Sequence, residues 1–144
     1  MHLAMATLAG TGLCALCDVR TGRIPNKITF SCMLVGLAIN TVCSGLKGLC
    51  SACFGILVGV LLLIIPFALG GMGAGDVKML AAIGAINGSE FVLQAFLFGA
   101  VAGGILALVS RPHASIFSNK KSTIPYGVAM FFGTITAYMM SSGL

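Results

Sequence analysis

Six runs of apolar residues divide the chain, and short polar or glycine-rich breaks separate them. The runs cover residues 3–17, 28–46, 49–69, 77–86, 91–109 and 124–142. A helix needs about 20 mainly apolar residues to cross the hydrocarbon layer of a bilayer. The second, third, fifth and sixth runs meet that length, whereas the first and fourth are shorter. The pattern predicts an all-α protein of about six transmembrane helices, with residues 1–144 forming a single membrane-embedded domain.

The composition supports a surface that faces lipid. Of the 144 residues, 58% are hydrophobic and only 8% are charged, and the mean hydropathy is +1.10. A soluble globular domain is about one quarter charged. Because so few charges cannot cover a water-facing surface, we expect a multi-pass membrane protein that is surrounded by the lipid bilayer.

The basic residues indicate the orientation of the chain. If six helices cross the membrane, successive breaks lie on alternate sides of it. One side holds only Lys47, in the break between the second and third runs. The other side holds Arg20, Arg23, Lys27, Lys78, Arg111, Lys120 and Lys121. Cytoplasmic loops carry the excess of Lys and Arg, so this larger group predicts the cytoplasmic side. The net charge of +5 is therefore assigned to loops beside anionic lipid, and we expect no nucleic-acid partner.

The six cysteines lie mostly inside the apolar runs, where a free cysteine behaves as a small hydrophobic residue. Two pairs, Cys14/Cys17 and Cys50/Cys53, have the C-x-x-C spacing of zinc ligands. The predicted topology puts the pairs near opposite faces of the bilayer, and one tetrahedral site cannot bridge that distance. We therefore predict no metal site.

Two of the three acidic residues, Asp18 and Asp76, fall on the predicted cytoplasmic side, and Glu90 falls on the outer side. An ionisable side chain near membrane depth is costly, so its presence indicates function. Asp76 follows a glycine-rich stretch that would let another chain approach closely, although its position before a helix also suits an N-cap. Pro25 favours extended backbone before it, so that loop could present an edge to a peptide.

The segments around both aspartates resemble the motifs of the type IV prepilin peptidases. Residues 18–26, DVRTGRIPN, are similar to the first motif, and residues 73–80, GAGDVKML, are similar to the second, G-x-G-D-[VI]-K-[LM]. Residues 124–129, IPYGVA, resemble the Pro-aromatic-Gly segment that starts the last span. Presenilin-like proteases share G-x-G-D, but its combination with the first motif is specific, and the resemblance extends along nearly the whole chain.

What the resemblance implies is an integral membrane aspartic endopeptidase of the inner (plasma) membrane. It would cut the short basic leader of a type IV-like prepilin or pseudopilin at the cytoplasmic face. Asp18 and Asp76 match the two catalytic aspartates, of which one takes a proton from water and the other donates a proton to the scissile carbonyl. Two close carboxylates do not both ionise readily, so they would share one proton. The resemblance implies neither a metal nor an organic cofactor.

Five further residues match motif positions that would support the aspartates or the substrate. They are Gly73, Gly75, Lys78, Pro25 and Asn26. Lys78 would equally suit a basic anchor at the lipid surface. Many bacterial members carry an extra N-terminal region with paired C-x-x-C motifs, which is associated with methylation of the new N-terminus. Because the chain begins at the first run, it resembles the short members of tight-adherence or Flp pilus systems, and we expect peptidase activity alone.

Two other functions remain open from the residues themselves. A small proton- or ion-coupled transporter could use Asp18 and Asp76 as relays, although such proteins often show repeated halves and a site near the midplane. The chain has no internal repeat, and both acids lie towards one face. A non-catalytic membrane subunit of a secretion complex is the third interpretation.

Overall fold

The computed structural model describes residues 2–21, 24–70, 72–110 and 126–141, and within them the chain is helical, without strands. The prediction of an all-α fold is confirmed for this part of the chain. The helices are α1 His2–Thr21, α2 Asn26–Ala68, α3 Ala74–Asn87, α4 Ser89–Ser110 and α5 Tyr126–Ser141.

Helix α2 reverses direction at Gly45, whose φ of 59° and ψ of −140° are not helical. Positive φ favours glycine because it has no Cβ. A straight helix of 43 residues would be about 65 Å long, yet glycines from both halves contact the same end of α3. A Cβ on Gly36 would lie 2.7 Å from the carbonyl carbon of Ala85, and a Cβ on Gly55 would overlap the carbonyl oxygen of Gly84. The two halves of α2 therefore fold back beside each other, close to the predicted break between the second and third apolar runs.

In the part of the chain that the structure describes, two segments are long and apolar enough to cross a membrane, namely α2 and residues Ser89–Leu106 of α4, with mean hydropathies of 2.7 and 1.6. Large apolar side chains cover the outside of α2. Val42 and Leu46 are 86% and 80% exposed, and Leu69, which follows the last residue of α2, is 81% exposed. Apolar surface on this scale is unusual for a monomer in water, and it fits a lipid environment.

Helix α3 lies at the centre of the fold, and residues 79–86 are all buried. Small residues let its neighbours approach closely, as in other helix pairs within membranes. Gly55 lies directly against Gly84, and a Cβ on Gly59 would come within 2.9 Å of Ala81. Because α3 is surrounded on all sides, the position of its first turn is determined by the helices around it.

A polar side chain donates hydrogen bonds to backbone carbonyl groups at the C-terminal end of α3, the end far from Asp76. The Asn40 amide nitrogen lies 3.0 Å from the carbonyl oxygen of Ala85 and 2.9 Å from that of Ile86. The last carbonyl groups of a helix have no partner within the helix. Asn40 supplies that partner from α2, which allows α3 to end inside the protein.

A second polar cluster joins three helices at this same end. The Asn87 amide donates a 2.8 Å hydrogen bond to the Thr7 hydroxyl, and the Tyr138 hydroxyl bonds to both Thr7 and Asn87. The cluster links α1, α3 and α5, so it fixes the axial positions of these three helices relative to one another.

Candidate active site

Asp18 and Asp76 lie at the same end of the helix bundle. Thr7 of α1 contacts Asn87 of α3, and Asp18 follows Thr7 by 11 residues while Asp76 precedes Asn87 by 11 residues. Each aspartate therefore lies about 16 Å along its helix from that contact. Their carboxyl groups are close enough to interact electrostatically. α1 continues beyond the first apolar run to Thr21, so Asp18 lies in the last turn of this helix.

Asp76 is the third residue of α3 and is only 8% exposed. The Gly73 amide donates a 3.1 Å hydrogen bond to Asp76 Oδ2, and the Asp76 amide donates a 3.1 Å hydrogen bond to the Gly73 carbonyl. Gly73 is thus the N-cap residue, and the expectation that Asp76 itself caps the helix is wrong. The side chain instead turns back to the cap, where the helix N-terminus favours negative charge.

Asp18 is held from a distant part of the chain. The Gly127 amide, in the first turn of α5, donates a 2.9 Å hydrogen bond to Asp18 Oδ2. The segment around Gly127 resembled a known motif, but no role was predicted for this residue from the sequence. Its only local signal was a glycine at the start of a helix. Each aspartate is therefore bound by a glycine amide, Gly73 for Asp76 and Gly127 for Asp18.

The two motifs that contain the aspartates contact each other directly. Ile24, which is 9% exposed, packs against Gly75, where an added Cβ would lie 2.9 Å from the Ile24 Cβ. Only glycine permits this approach without displacing Ile24. The glycine-rich stretch therefore packs against the loop between α1 and α2.

The contact between the two motifs also includes Lys78, Asn26 and Pro25. Lys78 Nζ donates a 2.9 Å hydrogen bond to Asn26 Oδ1 and lies 5.6 Å from the centre of the Phe30 ring. Pro25 is the extended N-cap of α2, and its carbonyl accepts a 3.1 Å hydrogen bond from the Ile28 amide. The structure thus places every residue expected to support the aspartates at one end of the bundle.

The remaining charged residues lie at either end of the bundle or outside the described part of the chain. Glu90 is exposed in the first turn of α4, beside the end of α3 that is far from Asp76. Arg20 and Lys27 are exposed at the end that carries the aspartates, and Lys47 is exposed near the reversal of α2. Four basic residues lie outside the described residues: Arg23, Arg111, Lys120 and Lys121.

Within the described residues, no group of three or more His, Cys, Asp and Glu side chains is arranged to hold a metal ion. All six cysteines are free thiols. The chemistry that this site can perform with its own groups is proton transfer between two carboxylates and a bound water or substrate.

Comparisons with known proteins agree with the motifs. A model of the type IV leader peptidase family matches residues 5–108. The chain is 32% identical over 150 residues to a protein named prepilin leader peptidase/N-methyltransferase in two strains of Burkholderia pseudomallei, a match that covers 90% of this chain and 48% of that protein. It is 30% identical over 136 residues to the protein of the same name in Bacillus subtilis, with coverage of 90% and 52%. The chain therefore spans about half the length of the curated relatives it matches. No solved structure matched the chain.

Proposed function

The chain belongs to the type IV leader peptidase family, and on that premise we propose that it is a prepilin leader peptidase with an aspartic mechanism. In this proposal Asp18 and Asp76 form the catalytic pair. The pair cleaves the basic leader of a type IV-like prepilin or pseudopilin at the cytoplasmic face of the inner membrane. The observation that carries the proposal is that two carboxylates from different helices are held at one end of the bundle, within electrostatic reach of each other.

The proposed reaction needs one proton shared between the two side chains. An ionised carboxylate takes a proton from water, which attacks the scissile carbonyl, while the protonated carboxyl group donates its proton to the carbonyl oxygen. The C–N bond then breaks as one carboxyl group donates its proton to the leaving amine, and the other carboxylate takes a proton from a hydroxyl group of the tetrahedral intermediate, so that the pair again holds one proton. Because close carboxylates resist double ionisation, the pair retains one proton under the conditions where it acts. Neither step requires a metal ion.

Gly73, beside the pair, would give an extended peptide access to it. Gly73 is exposed, and it lies on the surface immediately before the helix that carries the buried Asp76. Because Gly73 has no side chain and its Cβ position would lie 3.4 Å from Asp76 Oδ2, a substrate backbone can approach the carboxylate closely there. This shape suits a peptide substrate better than it suits a small ion.

We further propose that the domain crosses the membrane with six helical segments, counting both halves of α2. Exposed Arg20 and Lys27 lie at the end that carries the aspartates and Lys47 lies at the other, which suits a cytoplasmic active site. Helix α3 has 14 residues and is about 21 Å long, shorter than the hydrocarbon thickness of about 30 Å. Asp76 would therefore lie below the cytoplasmic lipid surface, in a recess that water can enter.

The proposal is tested by incubating the protein, purified in detergent, with a candidate prepilin that retains its leader. Mass spectrometry should detect the free leader and a mature pilin that begins at the start of its hydrophobic helix. A transporter or a non-catalytic subunit would leave the substrate intact. An intact substrate after incubation with folded protein, across several prepilins with basic leaders, would reject the peptidase proposal. The proposal concerns peptide cleavage and does not extend to the methyltransferase activity that the relatives' names include.

A further inference from the structure

We infer that Gly127 is a positioning residue for the proposed reaction, one that orients the Asp18 carboxylate from the start of α5. The inference rests on the proposed peptidase function for its catalytic consequence. The contact itself can be tested independently of catalysis. Gly127 would act through Asp18 and would not touch the substrate.

The first observation is the hydrogen bond from the Gly127 amide to Asp18 Oδ2, at 2.9 Å. Gly127 is the second residue of α5, so its amide is one of the first four in the helix, which have no partner within it. The amide therefore points out of the helix end and towards the carboxylate. A charge-assisted hydrogen bond of this kind is stronger and more directional than a neutral one, so it restricts rotation of the Asp18 side chain.

The second observation is the absence of space for a side chain at this position. A Cβ on Gly127 would lie 2.9 Å from Asp18 Oδ2, 3.1 Å from Asp18 Cβ and 3.3 Å from Asp18 Cγ. All three nearest atoms belong to Asp18. An added methyl group would therefore push the Asp18 carboxylate itself. A change of the Asp18 rotamer alone would not relieve the contact, because Asp18 Cβ, which a rotamer change does not move, is also too close.

These two observations explain why this position requires glycine. The site needs a backbone amide within hydrogen-bonding distance of Asp18, and only a residue without a Cβ can bring the amide so close. Gly12 provides a comparison because it, too, is a glycine at the contact between α1 and α5, on the α1 side. A Cβ on Gly12 would meet only the edge of the Phe131 ring, at 3.4 Å, which is ordinary contact. Alanine should therefore be tolerated at Gly12 and not at Gly127.

The test compares Gly127→Ala with Gly12→Ala in the purified, membrane-inserted protein. Displacing a reacting group by a fraction of an ångström to 1 Å can reduce the rate about 10- to 100-fold. We expect Gly127→Ala to lower kcat by about that factor and to leave KM for the prepilin unchanged. Gly12→Ala should change neither. A normal kcat in folded Gly127→Ala, or an effect on KM alone, would overturn the inference.

A stability measurement keeps the inference testable if Gly127→Ala folds poorly or if the wild-type chain cleaves no prepilin. Thermal midpoints are measured for the wild type, Gly127→Ala, Asp18→Gly and the double variant. Because the obstructing atoms are those of Asp18, the loss of stability caused by Gly127→Ala should disappear when Asp18 is glycine. An equal loss in both backgrounds would show that the methyl group meets something other than Asp18, and the inference would be wrong.

Discussion

Lys78 Nζ donates a 2.9 Å hydrogen bond to Asn26 Oδ1, and this bond joins α3, two residues beyond Asp76, to the first residue of α2. The Lys78 ammonium group also lies 5.6 Å from the centre of the Phe30 ring, within the range of a cation–π interaction. Lys78 therefore has two partners on α2 within the protein, beyond any role as an anchor at the lipid surface. The bond holds the two motifs of the candidate site in a defined relation.

We expect Lys78→Met and Asn26→Ala each to reduce kcat/KM for prepilin cleavage, because each removes the same connection. The double variant should be little worse than the more affected single variant, with a coupling free energy of about 1 kcal/mol, since contacting residues act non-additively. Lys27→Met is the control, because Lys27 is exposed beside Asn26 and should leave kcat/KM unchanged. Fully additive losses in the double-mutant cycle would mean that the two side chains act separately.

The aspartates themselves provide the most direct mutational test. Asp18→Asn and Asp76→Asn preserve side-chain shape and can still accept the amide hydrogen bonds, but they cannot exchange a proton. We expect each to lower the rate of prepilin cleavage at least about 100-fold, while the protein remains folded and inserted. Glu90→Gln, which removes an exposed carboxylate at the other end of the fold, should cleave normally. Near-normal processing by either asparagine variant would contradict the aspartic mechanism.

Close packing around α3 predicts a difference between two glycines. A Cβ on Gly84 would overlap the carbonyl oxygen of Gly55, whereas a Cβ on Gly104 would meet nothing within 4 Å. Gly84→Ala should lower the free energy of unfolding by about 1–3 kcal/mol because the helices must separate. Gly104→Ala should be neutral or stabilising by up to about 1 kcal/mol. Unfolding by denaturant in detergent measures both, and equal stabilities for the two variants would argue against this packing.

The proposed topology places Lys27 inside the cell and Lys47 outside. Both side chains are exposed, so cysteine at either position should react with a thiol reagent that can reach it. In a chain whose six native cysteines are replaced by alanine, Lys47→Cys should react with a membrane-impermeant reagent on intact spheroplasts. Lys27→Cys should react only after the membrane is opened. The reverse pattern would place the aspartates on the outer side and would overturn a cytoplasmic active site.

The sequence by itself determined the helical segments and most of the breaks between them, because those depend on local properties. The length of each apolar run indicated a helix, and glycine marked the positions where the backbone leaves the helical region, with φ of 59° at Gly45 and 84° at Gly88. It also singled out Asp18 and Asp76 from charge and motif. The apolar runs alone did not determine where each helix ends, because polar residues can continue a helix, as residues 18–21 do in α1.

Only the tertiary structure decided which groups surround the two aspartates. The bond from Gly127 to Asp18 spans 109 positions, and the bond from Lys78 to Asn26 spans 52. Such pairs depend on how the helices pack, which is set by many weak contacts between glycines and apolar side chains from distant parts of the chain. No local pattern specifies a partner across that distance. The sequence could therefore identify the acids, whereas the fold determined that a glycine amide at the start of α5 would hold one of them.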